Sequence, residues 1–347
     1  MKLLIITQKV DIDDDVLGFV HRWIEKLSPQ FDLLNVICLK RGQYSLPPNV
    51  KVWSLGKEVK KSRIQYIFRF YKYIWKLRKN YDAIFVHMNP IYVVLGGVFW
   101  KIWKKKIYLW YNHQYGTLIT KLAIRIANTV FYTSPFSFAS KFKKSKIMPA
   151  GIDTEIFKNL ENIQKQSNTI LYLGRISPIK DVDVLVKTVN LLEKEGIKFV
   201  LNIVGEPGEK DEEYFKKIKV LSKNLEIKGK IKFLGKAPNY KTPEIYNQNE
   251  VFINLSPSGS FDKTTLEAMA CQTLVLVSSR AFQNILPSNL IFKEKNPEDL
   301  KNKIIEIFNM ESEKKEDLGR KLRKQVLQNH SLNILIEKFI DEFKKQL

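Results

Sequence analysis

The chain has 347 residues, of which 44% are hydrophobic. That is enough to bury sizeable cores, which excludes a disordered tail and points to two domains. Its two cysteines, Cys38 and Cys271, lack metal-ligand spacing, which argues against a disulfide framework or zinc site and for a reducing compartment. The net charge of +22 is uneven: residues 1–150 hold 26 Lys and Arg against 8 Asp and Glu, whereas residues 151–347 hold 32 against 28, so the amino-terminal half is the one suited to an anionic partner.

Met1-Lys2-Leu3-Leu4-Ile5-Ile6 is too short and too soon interrupted for a signal peptide, and no apolar run approaches the ~18 residues of a membrane span. It reads as a first strand, Lys2 to Ile6. A helix near Val16 to Leu27, strands Asp32 to Leu39 and Lys51 to Leu55, a basic helix within Lys57 to Lys79 and a strand Ala83 to Val86 follow. Next come a helix from Ile91 to Trp103, a strand Lys106 to Tyr111, a helix Leu118 to Asn128 and a strand Thr129 to Tyr132. This alternation predicts a doubly wound parallel sheet. Pro149 to Asp153 and the polar stretch Asn159 to Asn168 mark a hinge.

The second half alternates in the same way. Strands are predicted at Thr169 to Leu173, Phe199 to Val204, Lys230 to Leu234, Val251 to Leu255 and Leu274 to Val277. Helices are predicted at Asp181 to Glu195, Asp211 to Leu225 and Thr242 to Asn247, with another opening near Thr264. The last segment, Leu332 to Phe343, has helical apolar periodicity.

Two segments follow apolar strands and open helices: Gly174-Arg175-Ile176-Ser177-Pro178-Ile179-Lys180, and Ser258 to Ala270, which contains Asp262, Lys263, Thr264, Thr265 and Glu267. Both belong at strand carboxyl ends, where open parallel sheets bind ligands. Arg175 and Lys180 supply fixed positive charge, and the amides of Asp262 to Thr265 face the same space, an arrangement that suits a diphosphate. Thr264-Thr265-Leu266-Glu267 also satisfies a capping box, in which Glu267 caps its own helix. Both readings of Glu267 stay open at this point.

An Arg and a Lys on the first segment, with Leu-Glu-Ala-Met-Ala on the second, resemble the donor site of glycosyltransferase family 4. The resemblance implies a GT-B fold, an α/β architecture of two Rossmann-like domains facing across a cleft. It also implies transfer from a nucleotide-diphosphate sugar with retention of configuration and no metal or other cofactor. Arg175 and Lys180 would grip the diphosphate and serve catalysis, Gly174 and Asp262 to Thr265 would line the donor, and Glu267 would hold the ribose. Gly259 stands where the family's Glu-x7-Glu motif has its first Glu, and Ala150 where its His-Gly-Ile-Asp has His. The expected domains are an acceptor-binding unit at 1–155, joined by a returning helix at 332–347, and a donor-binding unit at 156–331.

In the first half, His113 ends a strand in Trp110-Tyr111-Asn112-His113 and is the catalytic candidate there; a His satisfied by neighbouring backbone groups is the competing reading. Asp15, Gly18 and His87 are the acceptor-binding candidates. Asp11, Asp13, Asp14 and Asp15 read as helix-capping carboxylates in preference to a metal site. The basic stretches Lys57 to Lys79 and Phe99 to Lys106 are interleaved with Trp, Tyr and Phe, which favours an anionic membrane surface over nucleic acid, since no nucleic-acid module appears.

The expected function is a retaining glycosyltransferase acting on a glycan or lipid-linked acceptor in polysaccharide or glycoconjugate synthesis. Its expected location is cytoplasmic, peripheral to the inner face of the cell membrane. A sugar-nucleotide epimerase of the same architecture and a non-catalytic, membrane-associated sugar-nucleotide binder are the alternatives.

Overall fold

The computed structural model describes residues 1–345 and divides into two compact units, one of residues 1–151 with the segment from Leu332 onward, the other of residues 152–331. In the first unit β1 (Lys2–Val10), α1 (Gly18–Leu27), β2 (Leu33–Arg41), β3 (Val50–Ser54), α2 (Arg63–Lys76), β4 (Ala83–His87), α3 (Pro90–Ile102), β5 (Lys106–Trp110), α4 (Leu118–Ile126), β6 (Thr129–Tyr132) and β7 (Ser145–Ile147) follow in order. They form a seven-stranded parallel sheet in the order β3-β2-β1-β4-β5-β6-β7. The central strands carry unbroken apolar runs where both faces are covered: Leu3 to Ile6 and Ala83 to Val86 are all buried.

The second unit carries β8 (Gln166–Leu173), α5 (Val182–Lys194), β9 (Val200–Val204), α6 (Glu212–Ile227), β10 (Ile231–Phe233), α7 (Thr242–Gln248), β11 (Asn249–Asn254), α8 (Lys263–Ala270), β12 (Leu274–Val277), α9 (Pro297–Phe308) and α10 (Ser312–Asn329). Its five parallel strands run β10-β9-β8-β11-β12. The order reverses at β8, so the loops after β8 and β11 are neighbours at a topological switch point. Ile152 pairs with Ser331.

The last helix, α11 (Leu332–Lys344), belongs to the first unit; residues 346 and 347 of the expected 332–347 segment lie outside the described residues. Leu335, Phe339 and Phe343 of α11 join Trp23 of α1, Phe85 and Phe131 in one core on one face of the first sheet. The other face is covered by α2, α3 and α4 through Phe70, Ile74, Tyr92, Trp100, Ala123 and Ile124.

Three local departures from the sequence reading have simple causes. The basic helix opens at Arg63 because Ser62 caps it with Gln65 in a capping box, while Lys57–Val59 forms a separate turn between the left-handed Gly56 and Lys60. The strand β7, three residues long and half exposed, carries too short an apolar signal to be read from sequence. The first helix starts at Gly18, after the Asp14 carboxylate has accepted the amides of Val16 at 2.9 Å and Leu17 at 2.5 Å. Among the described residues no helix is long and apolar enough to cross a membrane. Both cysteines are free and buried, and burial pushes the Cys38 thiol up to about 12.

Candidate functional site

The loop after β8 turns sharply because backbone meets backbone there. Gly174 donates its amide to Val204 at 3.0 Å, and Gly205 has φ +135°, with any Cβ it carried falling 1.9 Å from the Gly174 carbonyl oxygen. Only glycine fits at 205. Beyond the turn, the Tyr172 hydroxyl donates to the Arg175 carbonyl at 2.7 Å, and Ile176 is buried and bridged to Pro207. The Arg175 side chain between these anchors is exposed, and among the described residues its guanidinium makes no ion pair or hydrogen bond. The turn Pro178–Lys180 then leads through Asp181, at φ +44°, into α5.

Lys180 reaches over to the second loop. Its ammonium lies 2.5 Å from Asp262 Oδ2 and donates to the Ser256 hydroxyl at 2.7 Å. The same Asp262 oxygen accepts from Asn254 Nδ2 at 3.1 Å and from the Ser256 hydroxyl. Although burial opposes it, the Lys180 charge and these donors hold the Asp262 carboxyl below its ordinary value. The side chain of Asp262 is thus a carboxylate fixing a cation, and only its backbone remains suited to an anionic donor. Asn254 and Ser256 were not among the residues expected from sequence; their signal was two polar residues at the end of the apolar run of β11.

The helix α8 begins at Lys263 with Asp262 as its N-cap and no side-chain cap, so the capping-box reading of Glu267 fails. Glu267 is 3% exposed and accepts instead from Asn239 Nδ2 at 3.1 Å and the Tyr246 hydroxyl at 3.2 Å. Burial raises its pKa against the opposing effects of Asn239, Lys263 and Tyr246. Burial likewise lowers the pKa of Lys263, against the opposing charge of Glu267. Thr264 is half-buried. The Thr265 hydroxyl is fully buried and without a hydrogen-bond partner. The amides of Thr264 and Thr265, in the first turn of α8, have no acceptor within their own helix and point from its amino-terminal end, the end that favours an anion.

The loop before α8 is held on several sides. Phe261 stacks on Phe282 at 4.7 Å and packs against His330, Ser260 accepts from the Ser279 hydroxyl at 2.6 Å, and the Ser258 amide donates to Glu294 at 3.1 Å. Gly259 within it has φ +88°, a conformation that disfavours the Glu of the resembling motif.

In the first unit the candidates are separate from one another in environment. His113 is exposed, packs edge-on against Tyr111 at 5.5 Å and makes no side-chain hydrogen bond among the described residues, so the backbone-satisfied reading of its ring fails; partial burial lowers its pKa. Its loop is fixed by Asn112, which accepts the amides of Thr133 at 2.9 Å and Ser134 at 3.0 Å. His87 is 5% exposed and lies among the rings of Phe19, Trp23 and Trp110. Gly18 is buried at the start of α1 and Asp15 is half-buried before it. Asp11 and Asp14 both pair with Lys9.

Residues 153–325 match the family model described as glycosyl transferases group 1. The alpha-monoglucosyldiacylglycerol synthase of Streptococcus pneumoniae is 29% identical over 163 residues, a stretch covering 43% of this chain and 36% of the length of that relative. In fold, the whole chain resembles Anabaena HepE in complex with UDP-glucose, with TM-score 0.79, 15% identity and 100% of both chains covered. It equally resembles a sucrose-phosphate synthase from Thermosynechococcus elongatus, with TM-score 0.79, 16% identity and 99% of both chains covered.

Proposed function

We propose that this chain, which has the GT-B fold and whose second unit carries the group 1 glycosyl transferase match, is a retaining glycosyltransferase that uses a nucleotide-diphosphate sugar without a metal. The observation that carries the reading is that Arg175, exposed and without an ion pair among the described residues, and Lys180 lie with the amino-terminal end of α8 on the loops that follow adjacent strands. The diphosphate would meet Arg175, Lys180 and the amides of Asp262 to Thr265, and the ribose would meet Glu267, already turned toward Asn239 and Tyr246. As the acceptor hydroxyl oxygen bonds to the anomeric carbon, the bond to the diphosphate breaks and negative charge grows on the leaving oxygen. Fixed cations and amides lower the barrier by stabilising that charge, and the hydroxyl proton leaves with the diphosphate from the same face.

The acceptor would be a glycan or a lipid-linked molecule met by the basic first unit at an anionic membrane surface, on the cytoplasmic side, with His113 near the transferred sugar. The pneumococcal relative, named for a glucosyl lipid, and the UDP-glucose complex of HepE support testing UDP-glucose with diacylglycerol-type acceptors first. Incubating the protein with a panel of nucleotide-sugars, with and without lipid extract, and following free nucleoside diphosphate tests the reading. Release that depends on acceptor supports it. Conversion of the nucleotide-sugar without acceptor would indicate an epimerase, and binding without turnover a non-catalytic binder.

A further inference from the structure

Between Glu58 and Asp153 the sequence holds 18 Lys and Arg and a single acid, Asp82. This stretch contains α2, α3 and α4, which lie side by side on one face of the first sheet. Trp75 of α2 packs on Trp103 just after α3 at 5.6 Å, Tyr71 of α2 bonds the Leu95 carbonyl of α3 at 3.3 Å, and Ile126 of α4 covers Gly97 of α3. Their inner sides are the core. Their outer sides are not the polar surface expected of a solvated helix layer.

Phe68 is 71% exposed, Trp75 54%, Ile102 70% and Leu118 82%. On α2 an apolar and basic stripe runs Ile64, Phe68, Lys72 and Trp75, all exposed and spaced three or four apart along one helix side. On α4 the capping box of Thr117 and Thr120 starts the helix so that Leu118 and Leu122 stand outward beside Lys121 and Arg125, also exposed. Large aliphatic and aromatic side chains ringed by Lys and Arg are the composition of a surface that enters the bilayer interface. Nucleic acid gives no reason for exposed Leu and Ile, and a second copy of the chain would bring like charge against like.

We propose that the shared outer face of α2, α3 and α4 is a lipid-docking surface that inserts Phe68, Trp75, Ile102 and Leu118 into the interfacial layer of an anionic bilayer while the surrounding lysines meet the headgroups. The inference deepens the membrane part of the function proposed above and rests on it. It also sets aside part of the basic stretch ending at Lys106 as a headgroup contact: Lys105 donates to the Tyr81 carbonyl at 2.6 Å and is half-buried, so Lys72, Lys101 and Lys121, all exposed, are the cations to test.

The full chain is titrated with vesicles of phosphatidylglycerol and phosphatidylcholine, and with phosphatidylcholine alone. Binding is expected to the anionic vesicles only, with tryptophan emission quenched by brominated lipid and most of that quenching lost in Trp75→Phe. Phe68→Ser with Leu118→Ser should weaken binding about tenfold or more while leaving the thermal midpoint unchanged, since both side chains are exposed. Lys72→Gln, Lys101→Gln and Lys121→Gln should each weaken it about fivefold at low salt. Wild-type affinity in the double Ser variant, with Trp75 unquenched, overturns insertion and leaves only charge attraction. No vesicle binding by wild type, or a dimer that the Ser variant disperses, overturns the surface altogether. Neither result touches acceptor-dependent release of nucleoside diphosphate with a detergent-dispersed acceptor, so failure of the surface and failure of the enzyme reading are separable.

Discussion

Lys180 and Asp262, 82 residues apart in sequence, meet at 2.5 Å, so the cation proposed for the diphosphate is steered by a carboxylate that Asn254 and Ser256 hold in turn. Among the described residues Arg175 has no such partner. The two cations of the proposed site therefore differ: one is preorganised and tied to the fold, the other would be free to follow a ligand.

Arg175→Ala should weaken nucleoside diphosphate binding by about 1.5–3 kcal/mol, the worth of a charge-assisted contact, without changing stability. Lys180→Ala should lose similar affinity and also destabilise the second unit by about 1 kcal/mol, because Asp262 is left unpaired in a half-buried place. Calorimetric titration and thermal melts of the two variants check this; unchanged affinity in both removes the diphosphate from this site.

The depressed pKa of Asp262 gives a pH dependence of definite sign. A carboxyl that binds its proton less readily folded than unfolded contributes stability that is present above the ordinary value of 3.8 and lost as pH falls below it toward the folded value. Asp262→Asn should flatten that acid limb. All six tryptophans lie in residues 1–150, so their fluorescence reports the first unit; hydrogen exchange of β8 and β11 amides between pH 5 and 3 is the measurement for the second.

Glu267→Gln should lower affinity for a nucleoside diphosphate about tenfold yet leave inorganic pyrophosphate binding unchanged, because the lost contact is to the ribose. Gln offers one acceptor oxygen where Asn239 and Tyr246 each need one, so some loss of stability accompanies the change. Equal losses for both ligands would mean that Glu267 acts only by holding α8.

Turnover should survive EDTA, since side chains and amides supply the charge that a metal would otherwise bring. Activity abolished by EDTA and restored by magnesium or manganese would send attention back to Asp11 and Asp14, whose present partner is Lys9.

His113→Ala should cut turnover roughly a hundredfold with little effect on nucleoside diphosphate affinity or the thermal midpoint, as its ring is exposed, packs edge-on against Tyr111 and makes no side-chain hydrogen bond among the described residues. Normal turnover in this variant would remove His113 from the reaction.

The parallel sheets were legible because buried strands such as Leu3 to Ile6 and Val251 to Leu255 are short unbroken apolar runs between helical patterns. The candidate loops could be placed after β8 and β11 for the same reason, as the segments following such runs. Their internal wiring was not legible. The pattern of Thr264 to Glu267 fits a capping box with Thr264 as N-cap, but the N-cap of α8 is Asp262, two residues earlier, and Tyr246, fully buried on α7, takes the Glu267 carboxylate. Nothing local in the sequence foretells a bond made across 21 residues. In the basic helices, composition alone could not separate the rings of Phe70 and Trp100, which are core, from those of Phe68 and Trp75, which are surface; the helix phase decides it.

The return of α11 to the first unit sets an order for synthesis. A ribosome releases residues 1–151 long before Leu335, Phe339 and Phe343 exist, so Trp23, Phe85 and Phe131 wait without the side chains that close their core. The uninterrupted segment 152–331 can complete first. During translation the earlier-made half is thus the later-finished one, and in that interval it depends on whatever shields exposed apolar surface in the cell. A chain cut after Ser331 would leave that core permanently open on one side, with aggregation of the first unit as the expected result and the second unit still folded.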